Sequence, residues 1–163
     1  MELTLIYTTS GNVSRALAEH FGKHVSLAKN ERGAPYLEDD PHYISISHKD
    51  HRLVIALSDS PVGVDIERME DKPTLYCIAR RYFPEQIEEG DCTSFYRSWT
   101  RREAYGKLLG VGLSMKVMGT DMRPDCLDHE GKNIYFVEHQ PDANYLVTLA
   151  SYAQEVTAIK EVL

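Results

Sequence analysis

Leu3–Tyr7 reads as an alternating, β-rich strand, and Ser10-Gly11-Asn12 then supplies a turn and a cap before an amphipathic helix. The helical pattern holds for about a dozen residues and stops near Gly22. Lys29 to Pro35 has loop composition. Two further β-rich runs, Tyr43–Ser47 and Leu53–Ser58, flank a hairpin-like connection at Lys49-Asp50-His51. After Ser60-Pro61 the plan restarts with a strand at Val62–Glu67. A capped helix then runs from Asp71-Lys72-Pro73 to Tyr82, where Pro84 enforces the stop. Asp91–Leu109 has few breakers and predicts a long helix ending at Gly110. Ile134–Glu138 and Tyr145–Tyr152 read as an antiparallel pair, joined by Glu155–Ile159.

The order strand, helix, strand pair thus occurs once in residues 1–61 and again, enlarged, in 62–163. The likeness is one of layout rather than of residues. It predicts an α+β fold of two halves packed as one unit, with a cleft between them as the natural ligand site.

At 163 residues the chain can bury one real core, and its 42% hydrophobic and 26% charged residues are those of a soluble globular protein. No apolar stretch approaches the roughly 20 residues that span a bilayer, and Met1 to Thr8 lacks the basic start of a signal peptide. A cytoplasmic protein without membrane contact is expected. Cys77, Cys92 and Cys126 share no ligand-like spacing and read as reduced thiols. A net charge of -7 argues against general nucleic-acid binding. Lys and Arg nevertheless gather at Arg80-Arg81 and between Arg97 and Lys107, which predicts a basic face able to hold an anionic substrate.

The chemistry lies in Gly63-Val64-Asp65-Ile66-Glu67 and in Trp99-Thr100-Arg101-Arg102-Glu103-Ala104-Tyr105-Gly106-Lys107. Alternation along a strand puts Asp65 and Glu67 on one face, about 6 to 7 Å apart, with Val64 and Ile66 turned to the core. Helical spacing puts Trp99, Glu103 and Lys107 in one stripe. Three carboxylates in one cleft repel one another unless a cation sits among them, and magnesium prefers such hard oxygens together with waters and phosphate oxygens. The same residues also suit a solvated edge strand and a surface Glu103–Lys107 ion pair. In Ile44-Ser45-Ile46-Ser47-His48 the alternation ends in a polar pair, where Ser47 can hydrogen-bond and His48 can donate to phosphate.

Taken in order, Ser47-His48, Gly63 to Glu67 and Trp99 to Lys107 resemble the three motifs of the surfactin-synthetase-type 4'-phosphopantetheinyl transferases. Asn30-Glu31-Arg32-Gly33-Ala34-Pro35-Tyr36 is similar to that family's Gly-Lys-Pro-Tyr loop, and Arg80-Arg81-Tyr82-Phe83-Pro84-Glu85 to its Arg-Arg-Phe-Phe stretch. The resemblance implies a pseudo-dimer of two similar halves, each a small antiparallel sheet with packed helices. Coenzyme A would lie in the cleft between them. The implied reaction moves the phosphopantetheine arm of coenzyme A onto a serine of an apo acyl or peptidyl carrier protein and releases adenosine 3',5'-bisphosphate.

By matching position, Asp65, Glu67 and Glu103 would hold Mg2+. Lys107, Ser47 and His48 would meet coenzyme A phosphates, and the backbone of Gly33 to Pro35 would lie along the adenine. Arg15 and Arg32 are the candidates for its 3'-phosphate. Glu103 is the candidate general base, with Glu67 or a metal-bound water as alternatives, and residues Arg68 to Arg81 are the expected carrier surface. Three departures from the pattern stand out: Arg102 replaces a Lys, Ala34 replaces the loop Lys, and the first half is short. These keep open a weak relative that binds coenzyme A or a carrier without transfer, and the acids by themselves would also serve a magnesium-dependent phosphohydrolase that cleaves a small phosphoester.

Overall fold

The computed structural model describes all of residues 1–163. Strand β1 (Leu3–Thr9) leads to helix α1 (Val13–Phe21), which the left-handed Gly22 (φ 69°) ends. A short hairpin, β2 (Leu27–Lys29) and β3 (Pro35–Leu37), encloses the stretch with loop composition. Asn30 closes its turn, because its side-chain oxygen accepts from the backbone N–H groups of Arg32 and Ala34. Strands β4 (Tyr43–Lys49) and β5 (Arg52–Ser58) form the expected hairpin. Next come β6 (Val62–Arg68), α2 (Pro73–Tyr82) and the long α3 (Cys92–Leu109). A single-turn α4 (Met115–Met118), then β7 (Cys126–His129), β8 (Lys132–Asp142), β9 (Tyr145–Ser151) and β10 (Ala158–Glu161) follow. α4 and β7 are too short to leave a period in the sequence.

One sheet has the order β10-β1-β5-β4 and the other β6-β9-β8-β7. In each, the opening strand (β1 or β6) pairs antiparallel with the second arm of a hairpin (β5 or β9), whose first arm (β4 or β8) lies beyond it. The expectation that Glu155–Ile159 joins the Ile134/Tyr145 pair is corrected. β10 crosses to the other sheet and runs parallel to β1, with Thr4 opposite Ala158. The reason is edge availability: β9 already has β6 and β8 on its two sides, whereas β1 has a free edge. Thr157 fastens the crossing, accepting from the Leu3 N–H at 3.0 Å and donating to the Leu3 carbonyl at 2.9 Å.

Strand alternation sorts the core into layers. Leu3, Leu5, Val54 and Ala56 of one sheet meet Val64, Ile66, Val147 and Leu149 of the other in a common cluster. The opposite face of the first sheet, with Ile6, Ile55 and Leu57, packs on Ala16 and Leu17 of α1. On the outer side of the second sheet, Ile134, Phe136 and Ala150 pack on Ala104, Tyr105 and Leu108 of α3. Asp65 and Glu67 alternate with Val64 and Ile66, so they fall on the α3 side of β6.

Candidate functional site

Helix α3 is set by its ends and by one glycine. Asp91 caps its first turn by accepting from the Ser94 N–H at 3.2 Å, and Gly110 (φ 72°) ends it. Gly63 on β6 lets the helix backbone approach so closely that no side chain could stand between them. Glu103 and Lys107, one turn apart, are thereby brought over Asp65.

Asp65 is 4% exposed. Its Oδ1 accepts from the Ser47 hydroxyl at 3.1 Å and lies 3.8 Å from Lys107 Nζ, while its Oδ2 has no hydrogen-bond partner. Burial pushes the Asp65 carboxyl up to about 8. The Lys107 ammonium opposes that shift, and the nearby Glu67 and Glu103 carboxylates add to it. Glu103 is half-buried and also raised, first by burial, with Lys107 lowering it and Glu67 raising it. Glu67 faces Lys49 at 3.6 Å. Asp65, Glu67 and Glu103 therefore share one electrostatic neighbourhood.

These carboxylates do not close into a preformed metal cage. Their chemistry nevertheless suits a hard divalent cation: the oxygens come from a strand and a helix, one is buried without a partner, and the Asp65 and Glu103 carboxyls are both raised, first by burial and then by neighbouring carboxylates. Magnesium keeps several waters and accepts substrate oxygens, so it does not require a complete protein cage.

A cleft of about 530 Å³ is lined by Arg32, Gly33 and Pro35 of the β2–β3 hairpin, Ile46 of β4, and Lys107 and Val111 at the end of α3; Asp65, Glu67 and Glu103 do not line it, and Lys107 links it to Asp65. Arg32 spans its mouth and donates to the Gly110 carbonyl at 2.7 Å. Gly106 makes room for the returning chain, because a Cβ there would meet the Gly112 carbonyl oxygen at 2.2 Å.

Other expected residues fall elsewhere. His48 and Arg15 are exposed and do not line this cleft. Ser47 is 7% exposed, with its hydroxyl already engaged by Asp65 and the Ile66 N–H. Trp99 stacks with Phe95 and Phe83 rather than facing the acids. The basic face expected between Arg97 and Lys107 does not form. Arg97 and Arg101 pair with Glu138, Arg101 also with Asp125, and Arg102 with Glu85, so Lys107 alone turns to the cleft. In α2, Leu75, Tyr76 and Ala79 point inward, leaving Arg80, Arg81 and Tyr82 exposed. Cys77, Cys92 and Cys126 are free thiols. No helix is long and apolar enough to cross a membrane.

Sequence reasoning passed over Ser45 and Glu85. Ser45 stands two residues before Ser47, a period-2 signal in plain view. Glu85 carries no such signal, because only the fold brings it to Arg102.

Fold and site together define an α+β protein with a cluster of acids and one lysine at the seam of two sheets. The family model of the 4'-phosphopantetheinyl transferase superfamily matches residues 61–159, and the chain belongs to that superfamily. The 4'-phosphopantetheinyl transferase gsp of Aneurinibacillus migulanus is 33% identical over 103 residues, covering 58% of this chain and 42% of the relative. The 4'-phosphopantetheinyl transferase Sfp of Bacillus subtilis (strain 168) is 29% identical over 109 residues, covering 61% and 47%. An L-aminoadipate-semialdehyde dehydrogenase-phosphopantetheinyl transferase of Rattus norvegicus is 26% identical over 164 aligned positions, covering 78% and 53%. The chain spans about half the length of the curated relatives it matches.

Proposed function

We propose that this chain transfers the 4'-phosphopantetheine arm of coenzyme A to a serine of an apo carrier protein, releasing adenosine 3',5'-bisphosphate. The observation that carries the reading is the convergence of Asp65 and Glu103 on Lys107, which lines the cleft, in a member of this superfamily. The carrier serine oxygen bonds to the phosphorus that bears the pantetheine, and the bond from that phosphorus to the departing phosphate breaks.

Lys107 has a third ammonium proton beyond the two it gives to carbonyls, and it can direct that proton to a phosphate oxygen in the cleft. Glu103, with its carboxyl raised, is the group best suited to take the serine proton, and Glu67 is the alternative. A magnesium ion held by Asp65, Glu67 and Glu103 would neutralise charge on the departing phosphate. Gly33 and Pro35 offer backbone along one wall for the adenine, and Arg32 at the mouth is placed for the 3'-phosphate.

The reading includes a pseudo-dimer of halves 1–61 and 62–163, supported by the matching strand orders β1-β5-β4 and β6-β9-β8. Three free thiols fit a reducing, cytoplasmic setting.

Ala34, at the loop position where the family's pattern carries a Lys, favours one second reading, a coenzyme A or carrier binder without turnover. Arg102 lends it no weight, since that side chain is buried away from the cleft. The test is incubation with coenzyme A, magnesium and an apo carrier, followed by chromatography. Adenosine 3',5'-bisphosphate in equal amount to modified carrier supports transfer. Tight coenzyme A binding with no product supports the binder, and phosphate release without a carrier points to hydrolysis.

A further inference from the structure

β4 and β6 are edge strands of different sheets, and no backbone ladder joins them. Buried backbone groups along such edges need partners from elsewhere. Side chains supply them here. Ser45 Oγ accepts from the Val64 N–H at 3.0 Å, and Ser47 Oγ accepts from the Ile66 N–H at 3.2 Å. Lys107 Nζ donates to the Val64 carbonyl at 2.9 Å and to the Ile46 carbonyl at 3.3 Å, so it clasps both strands. The two serines stitch the seam in the same way but differ in one respect. Ser47 donates its own proton to Asp65 Oδ1, whereas Ser45 makes its seam bond to the Val64 backbone alone.

We propose that Ser47 is a positioning residue for Asp65: its hydroxyl ties Oδ1 to the β4 edge and leaves Oδ2, the oxygen without a partner, to bind a divalent cation. The inference rests on reading Asp65 as a cation ligand, and it replaces direct substrate contact by Ser47. Such contact is disfavoured by burial and by a donor already in use. A carboxylate fixed through one oxygen presents the other in a set direction, which is how groups behind metal ligands raise affinity. Because Ser47 is also bonded to Ile66, the position of Asp65 depends on the seam staying closed.

Ser45→Ala removes one bond across the seam and Ser47→Ala removes two, so a purely structural role predicts lost stability in both and no loss of magnesium affinity peculiar to Ser47. Magnesium binding to the purified chain with coenzyme A present, and without carrier, is read by titration calorimetry. The magnesium dependence of transfer is measured separately. Ser47→Ala is expected to weaken magnesium binding, and to raise the concentration for half-maximal transfer, by roughly 10-fold or more. Ser45→Ala is expected to lower the thermal midpoint while keeping the wild-type magnesium affinity. If Ser47→Ala does not fold, Ser47→Cys, with its weak donor, is expected to show the same loss. Equal magnesium affinity in the Ser45 and Ser47 variants overturns the role of Ser47 and leaves the transferase reading standing. A wild-type chain that neither binds magnesium nor transfers removes that reading, and this inference with it.

Discussion

Gly63 on β6 lies directly beneath Ala104 of α3, so close that a Cβ at Gly63 would sit 1.8 Å from the Ala104 carbonyl oxygen and 2.8 Å from the Leu108 N. Both obstacles are backbone, which no rotamer change can move aside. This contact sets the height of Glu103 and Lys107 above Asp65. Gly63→Ala is expected to cost about 3 kcal/mol or more, beyond the ordinary range of overpacking, and to weaken magnesium binding as the helix lifts. Urea denaturation with parallel calorimetry checks this. Wild-type stability in the variant would mean that α3 does not rest on Gly63.

Arg102 and Glu85 form a fully buried pair. The guanidinium donates to both Glu85 oxygens, at 2.9 and 2.5 Å, and to the carbonyls of Ser98, Met118 and Thr120, and it lies 3.8 Å from the Phe83 ring centroid. Glu85 also accepts from the Met122 N–H at 3.2 Å. The pair ties the α2–α3 connection and α4 to the back of α3. Removing one partner strands the other's charge, so Glu85→Ala should destabilise by about 3–5 kcal/mol. Arg102→Lys should also be costly, because an ammonium cannot reproduce the planar fork. Chemical denaturation of the two variants measures both losses, and near-wild-type midpoints would contradict the account.

The raised Asp65 carboxyl makes the ligand-free protein sensitive to pH. In the unfolded chain the group ionises near about 3.9, whereas in the fold burial keeps it protonated to about 8. Between those values the native state holds the extra proton, so stability falls as pH rises, by up to about 1.4 kcal/mol per unit, and levels off above about 8. Glu103 acts in the same direction. Asp121, held down to about 2 mainly by its hydrogen bonds from Arg123, loses its contribution only at lower pH. Urea melts in chelator from about pH 5 to about pH 8 should show the decline, and Asp65→Asn should flatten it. A slope unchanged in the variant would contradict the assignment.

Much of this was legible along the chain. Alternation placed Asp65 opposite Val64 and Ile66, and helical spacing aligned Glu103 with Lys107, because both periods are local properties of the backbone. What pattern could not reveal was set by contacts distant in sequence. β10 went to β1 because β9 had no free edge, and the arginines of α3 were neutralised by Glu138, Asp125 and Glu85 from other elements. Ser47 was visible as a polar strand terminus, yet its partners Asp65 and Ile66 lie across a seam that only the packed sheets define.

The most direct measurement is the intact mass of apo carrier proteins from fatty acid, polyketide and peptide synthesis after incubation with this chain, coenzyme A and magnesium. The account predicts a gain of one phosphopantetheine arm on at least one carrier, abolished by chelator and by Asp65→Ala and Glu103→Gln in folded protein. No gain on any carrier, or a full gain with either variant, would contradict it.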